Sequence, residues 1–559
     1  MSAFNSTVRT RRKTRLATAL ALALGVVASQ ALGADSVPSL TTESVMAAER
    51  TVESLPANHD ISSILIRGAL SGDAAPARFQ QQPDPTRTRQ ATGNLIIVTN
   101  CNDSGPGSLR EAVALASSDD TVDISNLTCG AIKLTSSIVT TADHLTIVGA
   151  PERTYGIDGQ NMVRPIAHYG NGLLTLSGVA IWNGRFDSST EPALGGCVYS
   201  SSNVELINGT RVKYCSAENT NASSGANTLA AGGAVFARTT IELSNSIVSM
   251  GTATSARGMA AGGNVYAKRV TINDGFITSG TTNGFIASRG GGIYAKHFLG
   301  SWHTSISNNT ASGGIATGGG AWIGGGDDRF TTLAYSTISG NTASGAAGLA
   351  AGRFTSEHDA LTIDSCTIAN NESIASTQKY GGAVYAGTNN VAIVNTTISG
   401  NIESNDGNKK YGAGVRIKPG VTALLISTVV GGNVLKKANS STQPDDLTAA
   451  DFSGSEPVNG TIVGSNNFIP AHLNTDVPAD TLGLGGGLIP LDPELGPLAD
   501  NGGYTKTMLP KPGSPLINAG RVNLQTYDQR GSGFPRIVGT AADIGAVEAN
   551  DIIFANGFD

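Results

Sequence analysis

Residues 390–401 read Asn-Val-Ala-Ile-Val-Asn-Thr-Thr-Ile-Ser-Gly-Asn, and this stretch carries the pattern that decides the fold. Branched apolar residues alternate with small polar ones and end at a turn, which is typical of a β-strand with one buried face. The pattern recurs along the chain, so that Leu333, Ile363 and Ile393 are equivalent residues 30 positions apart. Successive copies that form parallel strands in register would stack like residues upon like.

Each copy closes at a Gly or an Asn, three positions after a Val or Ile. These turn residues are Gly251, Gly280, Asn309, Asn341, Asn371 and Asn401, at spacings of 29, 29, 32, 30 and 30 residues by subtraction. Gly and Asn share a tolerance of the left-handed backbone conformation. The column therefore predicts a repeated corner in which these residues are left-handed.

A Gly-Gly pair repeats with the same period, as at Gly232-Gly233, Gly262-Gly263 and Gly290-Gly291. A fixed period of this size indicates one supersecondary unit per repeat, which buries its apolar face only against its neighbours. We predict an all-β fold, a right-handed parallel β-helix with about 30 residues per repeat. A propeller would need four strands in each repeat, and a unit of this length offers too few.

The composition limits the classes of partner. Gly makes up 71 of 559 residues, and the formal net charge is −6. Basic residues cluster only at the extreme N-terminus, whereas nucleic-acid binding requires concentrated Lys and Arg. We therefore expect no nucleic-acid partner.

The N-terminus predicts export. A basic stretch from Arg9 to Arg15 precedes the apolar run 16–27 and small residues up to Ala34, so residues 1–34 are predicted to be a signal peptide of Gram-negative type. The run is too short to span a bilayer, and we predict no transmembrane span in the mature chain. Residues 35–92 are polar and contain Pro, which favours a linker or propeptide.

The remaining chain divides into three parts. Residues 93–430 are predicted to form the β-helix, with a capping helix that begins at the Ser108 and Glu111 capping box and covers the open first coil. Residues 431–548 are predicted to form the terminal coils and a cap in which Gln529 to Glu548 cover the other open end. Residues 549–559 form a C-terminal tail.

Several motifs support a family resemblance. Residues 103–112 resemble the CSLREA motif that opens many secreted bacterial β-helix proteins, with Gly107 in place of its Cys. The Gly-Gly-Ala-Val-Tyr and Ile-Ser-Gly-Asn-Thr units are similar to the repeats of polymorphic outer-membrane proteins. Residues 492–503, 513–520, 528–531 and 543–548 resemble the choice-of-anchor Q domain. The resemblance implies an exported or surface-attached bacterial protein without assigned catalytic residues, and the tail 551–559 looks like a short sorting or secretion signal.

Residues with catalytic potential are few. Arg416-Ile417-Lys418 is similar to the triplet with which polygalacturonases hold a substrate carboxylate, and Asp327-Asp328 supplies two carboxylates upstream. The third Asp and the Gly-His-Gly of that family are missing, so the acid and base of an inverting hydrolase are not assembled. We expect Arg416 and Lys418 to be solvated charges at a strand edge.

No metal or cofactor site is predicted. The histidines and the one neighbouring carboxylate that could be imagined as a site are His297, His303, His358 and Asp359, and they lack ligand spacing. The Gly-rich segment 482–488 lacks the Lys-Ser/Thr of a phosphate-binding loop. We therefore expect no cofactor.

Five cysteines in an exported chain favour disulfides. Cys101 and Cys129 flank the cap and Cys197 and Cys215 lie within one coil, so two local pairings are plausible although spacing alone does not fix connectivity. Cys366 remains as a small buried filler, because Ser336 and Thr396 occupy the same column.

One largely aromatic column follows the Gly-Gly pairs. Its members are Tyr199, Phe236, Tyr266, Tyr294, Ile323, Tyr385 and Arg416. An outward column, extended by Lys418, would form a ladder for glycans or protein partners. An inward column would be an aromatic stack in the core, which we favour.

Two functional hypotheses follow. The first is a non-catalytic, adhesin-like protein of the cell surface or extracellular space that binds glycans or partner proteins. The second is a carbohydrate-active enzyme, a lyase or hydrolase of uronic-acid polysaccharides.

Overall fold

The computed structural model describes residues 93–151, 156–222, 226–324, 330–352, 360–374, 381–405, 412–437, 441–449, 460–473, 475–478, 481–482, 491–521 and 525–549. The predicted signal peptide, the linker or propeptide and the tail from residue 550 onward lie outside these ranges, as do Asp327-Asp328 and His358-Asp359.

The described chain winds into a right-handed parallel β-helix of about 11 turns, as the sequence predicted. Leu333 pairs with Ile363, and Ile363 pairs with Ile393, so like residues do stack in register. Each coil contributes strands to up to five columns, which we number I to V in chain order within a coil. Columns I and II form one sheet of 24 strands, and columns III to V form a second sheet of 22.

The first sheet contains two columns. Column I consists of Ile138–Thr140, Ile166–His168, Val198–Ser200, Val235–Ala237, Val265–Asn273, Ile293–Trp302, Ala321–Ile323, Leu349–Ala351, Val384–Ala386, Val415–Ile417, Leu447–Thr448 and His472–Leu473. Column II consists of the second halves of Val265–Asn273 and Ile293–Trp302 together with Leu95–Ile97, Asp120–Asp123, Leu145–Val148, Leu173–Ser177, Asn203–Ile207, Thr240–Ser244, Phe330–Ala334, Ala360–Asp364, Asn390–Val394, Thr422–Ile426, Gly460–Ser465 and Thr475–Asp476.

The second sheet contains three columns. Column III consists of Ala131–Lys133, Gly156–Asp158, Ala180–Trp182, Arg211–Asn219, Ile247–Ser255, Phe276–Thr278, Ser305–Ser307, Thr337–Ser339, Thr367–Ala369, Thr397–Ser399 and Val429–Val430. Column IV consists of the second halves of Arg211–Asn219 and Ile247–Ser255 together with Arg185–Ser188, Thr281–Arg289, Thr310–Thr317, Thr342–Ala343, Glu372–Ser373, Ile402–Asn405, Val434–Lys437 and the antiparallel Thr442–Pro444. Column V consists of Ala193–Leu194, Ala230–Ala231, Met259–Ala261 and the ends of Thr281–Arg289 and Thr310–Thr317.

The first coil is closed by a single short helix, Leu109–Leu115. Ser108 accepts a hydrogen bond from the Glu111 amide, which is half of the predicted capping box. Leu109, Ala112 and Val113 are buried against the apolar core. The helix is the expected lid, and the Cys101–Cys129 disulfide lies beside it.

The second disulfide joins Cys197 to Cys215, so both pairings considered from the sequence are present. Cys366 is free and buried. Its Sγ accepts a hydrogen bond from the Ser336 amide, and its own amide donates to Thr396 Oγ1. Burial raises the pKa of the thiol, which fits a filler and not a nucleophile.

The prediction that the Gly and Asn residues of the turn column are themselves left-handed is wrong: the left-handed residue is the one before each of them. The left-handed residues are Met250, Ser279, Asn308, Gly340, Asn370 and Gly400, with φ between 54° and 69°. Each of these precedes a member of the column Gly251, Gly280, Asn309, Asn341, Asn371 and Asn401. The left-handed residue turns the chain, and the residue after it then points into the interior.

The asparagines of this column form a buried hydrogen-bonded ladder. The Nδ2 of Asn309 donates to Asn341 Oδ1. The same bond, from Nδ2 to the Oδ1 of the next asparagine, joins Asn341 to Asn371, Asn371 to Asn401 and Asn401 to Asn433, and the four distances are 2.8–3.0 Å. Asp446 ends the ladder by accepting from the backbone N and Nδ2 of Asn433. Buried amides persist because almost all of their hydrogen-bonding groups are satisfied.

Asn264 replaces the side chains that Gly251 and Gly280 lack. Its Oδ1 accepts from the Gly251 amide, and its Nδ2 donates to Thr278 O and to Asn309 Oδ1. The ladder therefore runs across the two glycine rungs without losing its polar contacts.

Residues 491–521 and 525–549, here called the C-terminal strap, lie along the flank of the β-helix. Gln529 Nε2 donates to Thr337 Oγ1 at 2.9 Å, and the Ala546 amide donates to Thr397 Oγ1 at 3.0 Å. The ring of Tyr504 stacks on His303 with centroids 4.0 Å apart. The expectation that Gln529 to Glu548 would cover the open end is therefore wrong. The polar outer face of column III offers this segment hydrogen-bond partners, and an open end of the solenoid would not.

The strap is held together by buried ion pairs. Arg530 Nη2 lies 2.6 Å from Asp528 Oδ2, and Arg536 Nη1 lies 2.9 Å from Glu548 Oε1. Both Glu548 oxygens also accept from the Asp543 amide. All of these residues except Arg536 belong to the last two C-terminal motifs, so the charged positions of those motifs shape the strap.

Candidate functional site

The aromatic column forms a stack on the outside of column I. The rings of Tyr199, Phe236, Tyr266 and Tyr294 lie on successive rungs with centroids 5.6, 5.1 and 4.8 Å apart and interplanar angles of 12° or less. Tyr169 adds a tilted ring 5.3 Å from Tyr199. We call these five residues the aromatic ladder.

The ladder faces away from the core, which contradicts the inward arrangement favoured from the sequence. Successive residues of a strand point to opposite faces of the sheet. Val265 and Ala267 belong to the apolar core, so Tyr266 between them points outward. The Gly-Gly periodicity predicts that the rings stack. Whether they stack inside or outside the β-helix depends on which residues of each strand alternate with the buried ones.

The register also corrects one member of the column. Tyr294 pairs with Trp322, and Trp322 pairs with Ala350, whereas Ile323 is a core residue. The degenerate Gly-Gly copy hid the fact that Ala350 replaces the ring in the next coil. Sequence reasoning missed Trp322 and Tyr169, although Trp322 directly precedes Ile323.

A left-handed glycine makes room for each of the four stacked rings, Tyr169 excepted. Gly262 has a φ of +60°, and a Cβ at this position would lie 2.1 Å from the Val265 carbonyl oxygen and 3.2 Å from Tyr266 Cβ. Gly232 and Gly290 adopt the same conformation. The first Gly of each pair is therefore required by the corner that places the ring.

Stacking determines which part of each ring can meet a ligand. The faces of Phe236 and Tyr266 contact the neighbouring rings, so Tyr199, Tyr266 and Tyr294 present edges and hydroxyl groups, and they are partly exposed. Tyr169 is 49% exposed at the N-terminal end. Burial raises the pKa of Tyr266, which keeps its hydroxyl a hydrogen-bond donor.

An arginine side chain packs against a ring at each end of the accessible part of the aromatic column. Arg164 donates to Leu194 O and Gly195 O, and its guanidinium lies 3.7 Å from the Phe186 ring centroid and 5.1 Å from that of Tyr199. Burial lowers the pKa of Arg164 to about 10. At the other end the Arg289 guanidinium lies 4.2 Å from the Trp322 ring.

The C-terminal members of the predicted column are not accessible. Tyr385 and Arg416 are each 4% exposed, and Tyr385 packs with Ala346, Ala350 and Trp322. Arg416 is therefore not a solvated charge, contrary to expectation. Lys418 is partly exposed, and its Nζ donates to Asn389 Oδ1 at 2.9 Å.

The acidic residues near the Arg416 coil are used in structural contacts. Asp445 accepts from the amides of Gly412 and Ala413, and Asp446 accepts from Asn433 and Ala471. Burial raises the pKa of Asp446 to about 7. In the described part of the chain no group of three or more His, Cys, Asp or Glu side chains comes together as a metal site.

The described histidines do not combine into a site. His303 Nδ1 lies 3.1 Å from Asp274 Oδ1, and its ring stacks on Tyr504 of the strap. His297 is partly exposed and lies in strand Ile293–Trp302. His303 therefore contributes to the packing of the strap against the flank of the β-helix.

The comparisons add little to this geometry. No protein-family model matches the chain, and no curated protein matches it. Among solved structures, the chain is similar to the crystal structure of pectate lyase Pel9A, with 12% identity and a TM-score of 0.38 over 82% of this chain and 96% of that one. At this level of similarity the match carries no functional argument. Across the described residues, no helix has the length and apolar character needed to cross a membrane.

Proposed function

We propose that the protein is an exported, non-catalytic binding protein whose aromatic ladder contacts an extended glycan. The observation that carries the proposal is the outward row of aromatic rings, which repeats once per rung and in which Tyr199, Tyr266 and Tyr294 are partly exposed. Neighbouring rungs are about 4.8 Å apart, so the row offers ring edges at a regular spacing and a hydroxyl group on each rung except that of Phe236. A periodic polymer with hydroxyl groups on every unit matches such a row.

The contact would combine two elements. The exposed ring of Tyr169 offers an apolar face at the N-terminal end, where a sugar ring can stack. The hydroxyls of Tyr199 and Tyr266 then continue the surface as hydrogen-bond donors and acceptors. The two disulfides and the predicted signal peptide support an extracellular location, where such polymers occur.

Glycan binding by the secreted full-length chain tests the proposal. A glycan array selects the ligand, and its affinity is then measured for wild type and for Tyr169→Ser/Tyr199→Ser/Tyr266→Ser. We expect the triple variant to lose at least about tenfold in affinity, since each contact between a sugar and an aromatic side chain contributes on the order of 1 kcal/mol. Tyr214→Ser is the matched control, because Tyr214 is 49% exposed on a different corner.

A milder variant separates binding from folding. Tyr199→Phe/Tyr266→Phe keeps the stacked rings and removes two hydroxyls, so thermal unfolding should be unchanged while affinity falls. Retention of full affinity by both ladder variants would refute the proposal, as would an array on which no glycan is retained. Capture of a protein in place of a glycan would also count against it.

The enzymatic alternative has its own measurement. Incubation with pectin and alginate, followed by absorbance of unsaturated products and by reducing ends, should show no turnover. Turnover that Arg416→Ala abolishes would replace binding by catalysis as the function.

A further inference from the structure

Positive side chains lie beside the aromatic ladder on the same face of the sheet. Tyr266 and Lys268 are both partly exposed and Ala267 between them is buried, so both side chains leave the outer face of strand Val265–Asn273, next to the register irregularity between Ala267 and Arg269. Arg238 follows Phe236 by two residues in the neighbouring coil and is exposed, and Lys268 is partly exposed. Among the described residues, neither Arg238 nor Lys268 forms an ion pair.

The same position in the next coil is also basic. Lys296 follows Tyr294 by two residues in strand Ile293–Trp302, and it already takes part in another interaction. Arg164 and Arg289 are buried against the rings of Tyr199 and Trp322, so the accessible positive charge of the strip comes from Arg238, Lys268 and Lys296. The chain as a whole has a net charge of −6, so this concentration of cations is a local property.

Acidic residues flank the positive strip, with Glu191 near Arg164 and two glutamates in column II. Glu205 and Glu242 pair in register in column II, beyond the basic positions, and Glu205 accepts a hydrogen bond from Thr175. Outward positions of column I next to the ladder hold tyrosines, Phe236 and the basic residues. A polymer that follows the ladder therefore meets hydroxyls and positive charges together.

We propose that the ladder selects anionic polysaccharides, with Arg238 and Lys268 contacting carboxylates on successive sugar units. This rests on the proposed function, because the tyrosine row must first bind a glycan. Coils advance by about 4.8 Å, so the two cations, which lie on neighbouring coils, suit charges repeated along an extended uronic-acid chain. Arg238 can bind a carboxylate through two parallel N–H groups, and Lys268 acts as a point charge.

The test uses two polymers with the same sugar backbone, polygalacturonate and its fully methyl-esterified form, in which methyl esters replace the charged carboxylates. Affinities of the secreted full-length protein are measured for both at low and high salt. We expect wild type to bind the acid form about tenfold more tightly at low salt, and to lose this preference as salt screens exposed charges. Arg238→Gln/Lys268→Gln should remove the preference and leave binding of the ester within about twofold.

Two controls distinguish charge from structure. Lys436→Gln removes one positive charge from an exposed residue in column IV and should leave the preference intact. The ladder variant Tyr199→Phe/Tyr266→Phe should weaken binding of both polymers equally. Together they show whether selectivity depends on the basic strip or on total charge.

Each outcome bears on one proposal. Equal binding of the acid and the ester by wild type, or an unchanged preference in Arg238→Gln/Lys268→Gln, overturns the inference while glycan binding through the tyrosines stands. Binding of neutral glycans alone has the same meaning. Failure to bind any glycan removes the proposed function as well.

Discussion

The asparagine ladder and the aromatic ladder are both columns that repeat once per coil, and they differ in where they face. The amides of Asn309 to Asn433 are buried and bond along the solenoid, whereas the tyrosines stack outside it. Both columns have a period near 30 residues in the sequence. Periodicity therefore reveals that residues stack, and the burial of each column decides whether it stabilises the fold or forms a surface.

The largest expected effect comes from breaking the buried column at its centre. Asn371 Oδ1 accepts from the backbone N and Nδ2 of Asn341, and its Nδ2 donates to Asn401 Oδ1 and Ile338 O. Asn371→Ala leaves several of these buried groups unsatisfied and should lower the free energy of unfolding by about 3 kcal/mol. Urea titration followed by circular dichroism measures the loss.

Two variants serve as comparisons. Asn283→Ala, at an exposed position of strand Thr281–Arg289, should change stability by less than about 0.5 kcal/mol. Tyr266→Ala should cost about 1 kcal/mol, because its ring is partly exposed and has two stacking neighbours. A Tyr266→Ala variant less stable than Asn371→Ala would reverse the contrast between the two ladders.

A smaller effect should appear as a pH dependence at the end of the asparagine ladder. Burial raises the pKa of Asp446 from 3.8 to about 7, so the folded state retains a proton that the unfolded state has lost. Its contribution to stability is full below about pH 4 and is lost as the pH rises toward 7. The free energy of unfolding should therefore fall over this range, and Asp446→Asn should flatten the slope.

The control for this slope is Asp476→Asn. Asp476 is exposed in a nearby coil, so its replacement removes one carboxyl group without disturbing the ladder. An identical slope in wild type and Asp446→Asn would show that the end of the ladder does not titrate in this range.

The smallest effect distinguishes the corner from the ladder. Asn370 is exposed and left-handed with a φ of 57°, so Asn370→Ala should cost about 1 kcal/mol and Asn370→Gly almost nothing. Asn371→Gly should be as damaging as Asn371→Ala, because the amide and not the backbone conformation is lost. Thermal unfolding ranks the four variants by stability. An Asn371→Gly variant as stable as wild type would show that position 371 needs a flexible backbone and not the buried amide.

Much of the candidate site could be read from the sequence, and its orientation could not. The columns of Tyr199, Phe236, Tyr266 and Tyr294 follow from the Gly-Gly period alone. Three successive glycines, Gly318 to Gly320, leave the start of the motif in this coil ambiguous, so that counting from Gly319 predicts Ile323, and the pairing of Tyr294 with Trp322 resolves the register. Asn433 follows Val430 by three residues, the same spacing as the rest of its column, so this signal was present and was missed.

Local patterns determined the solenoid, since alternation, corner residues and a fixed period are set by neighbours in the chain. The capping helix belongs to the same class of inference, because Ser108 and Glu111 lie within one turn. Tertiary structure decided three other features. These are the outward direction of the tyrosines, the polar contacts that Asn264 supplies to the asparagine ladder at its two glycine rungs, and the packing of the strap on column III. Each depends on contacts between residues far apart in the chain, where burial and hydrogen bonding choose among faces that the sequence pattern leaves equivalent.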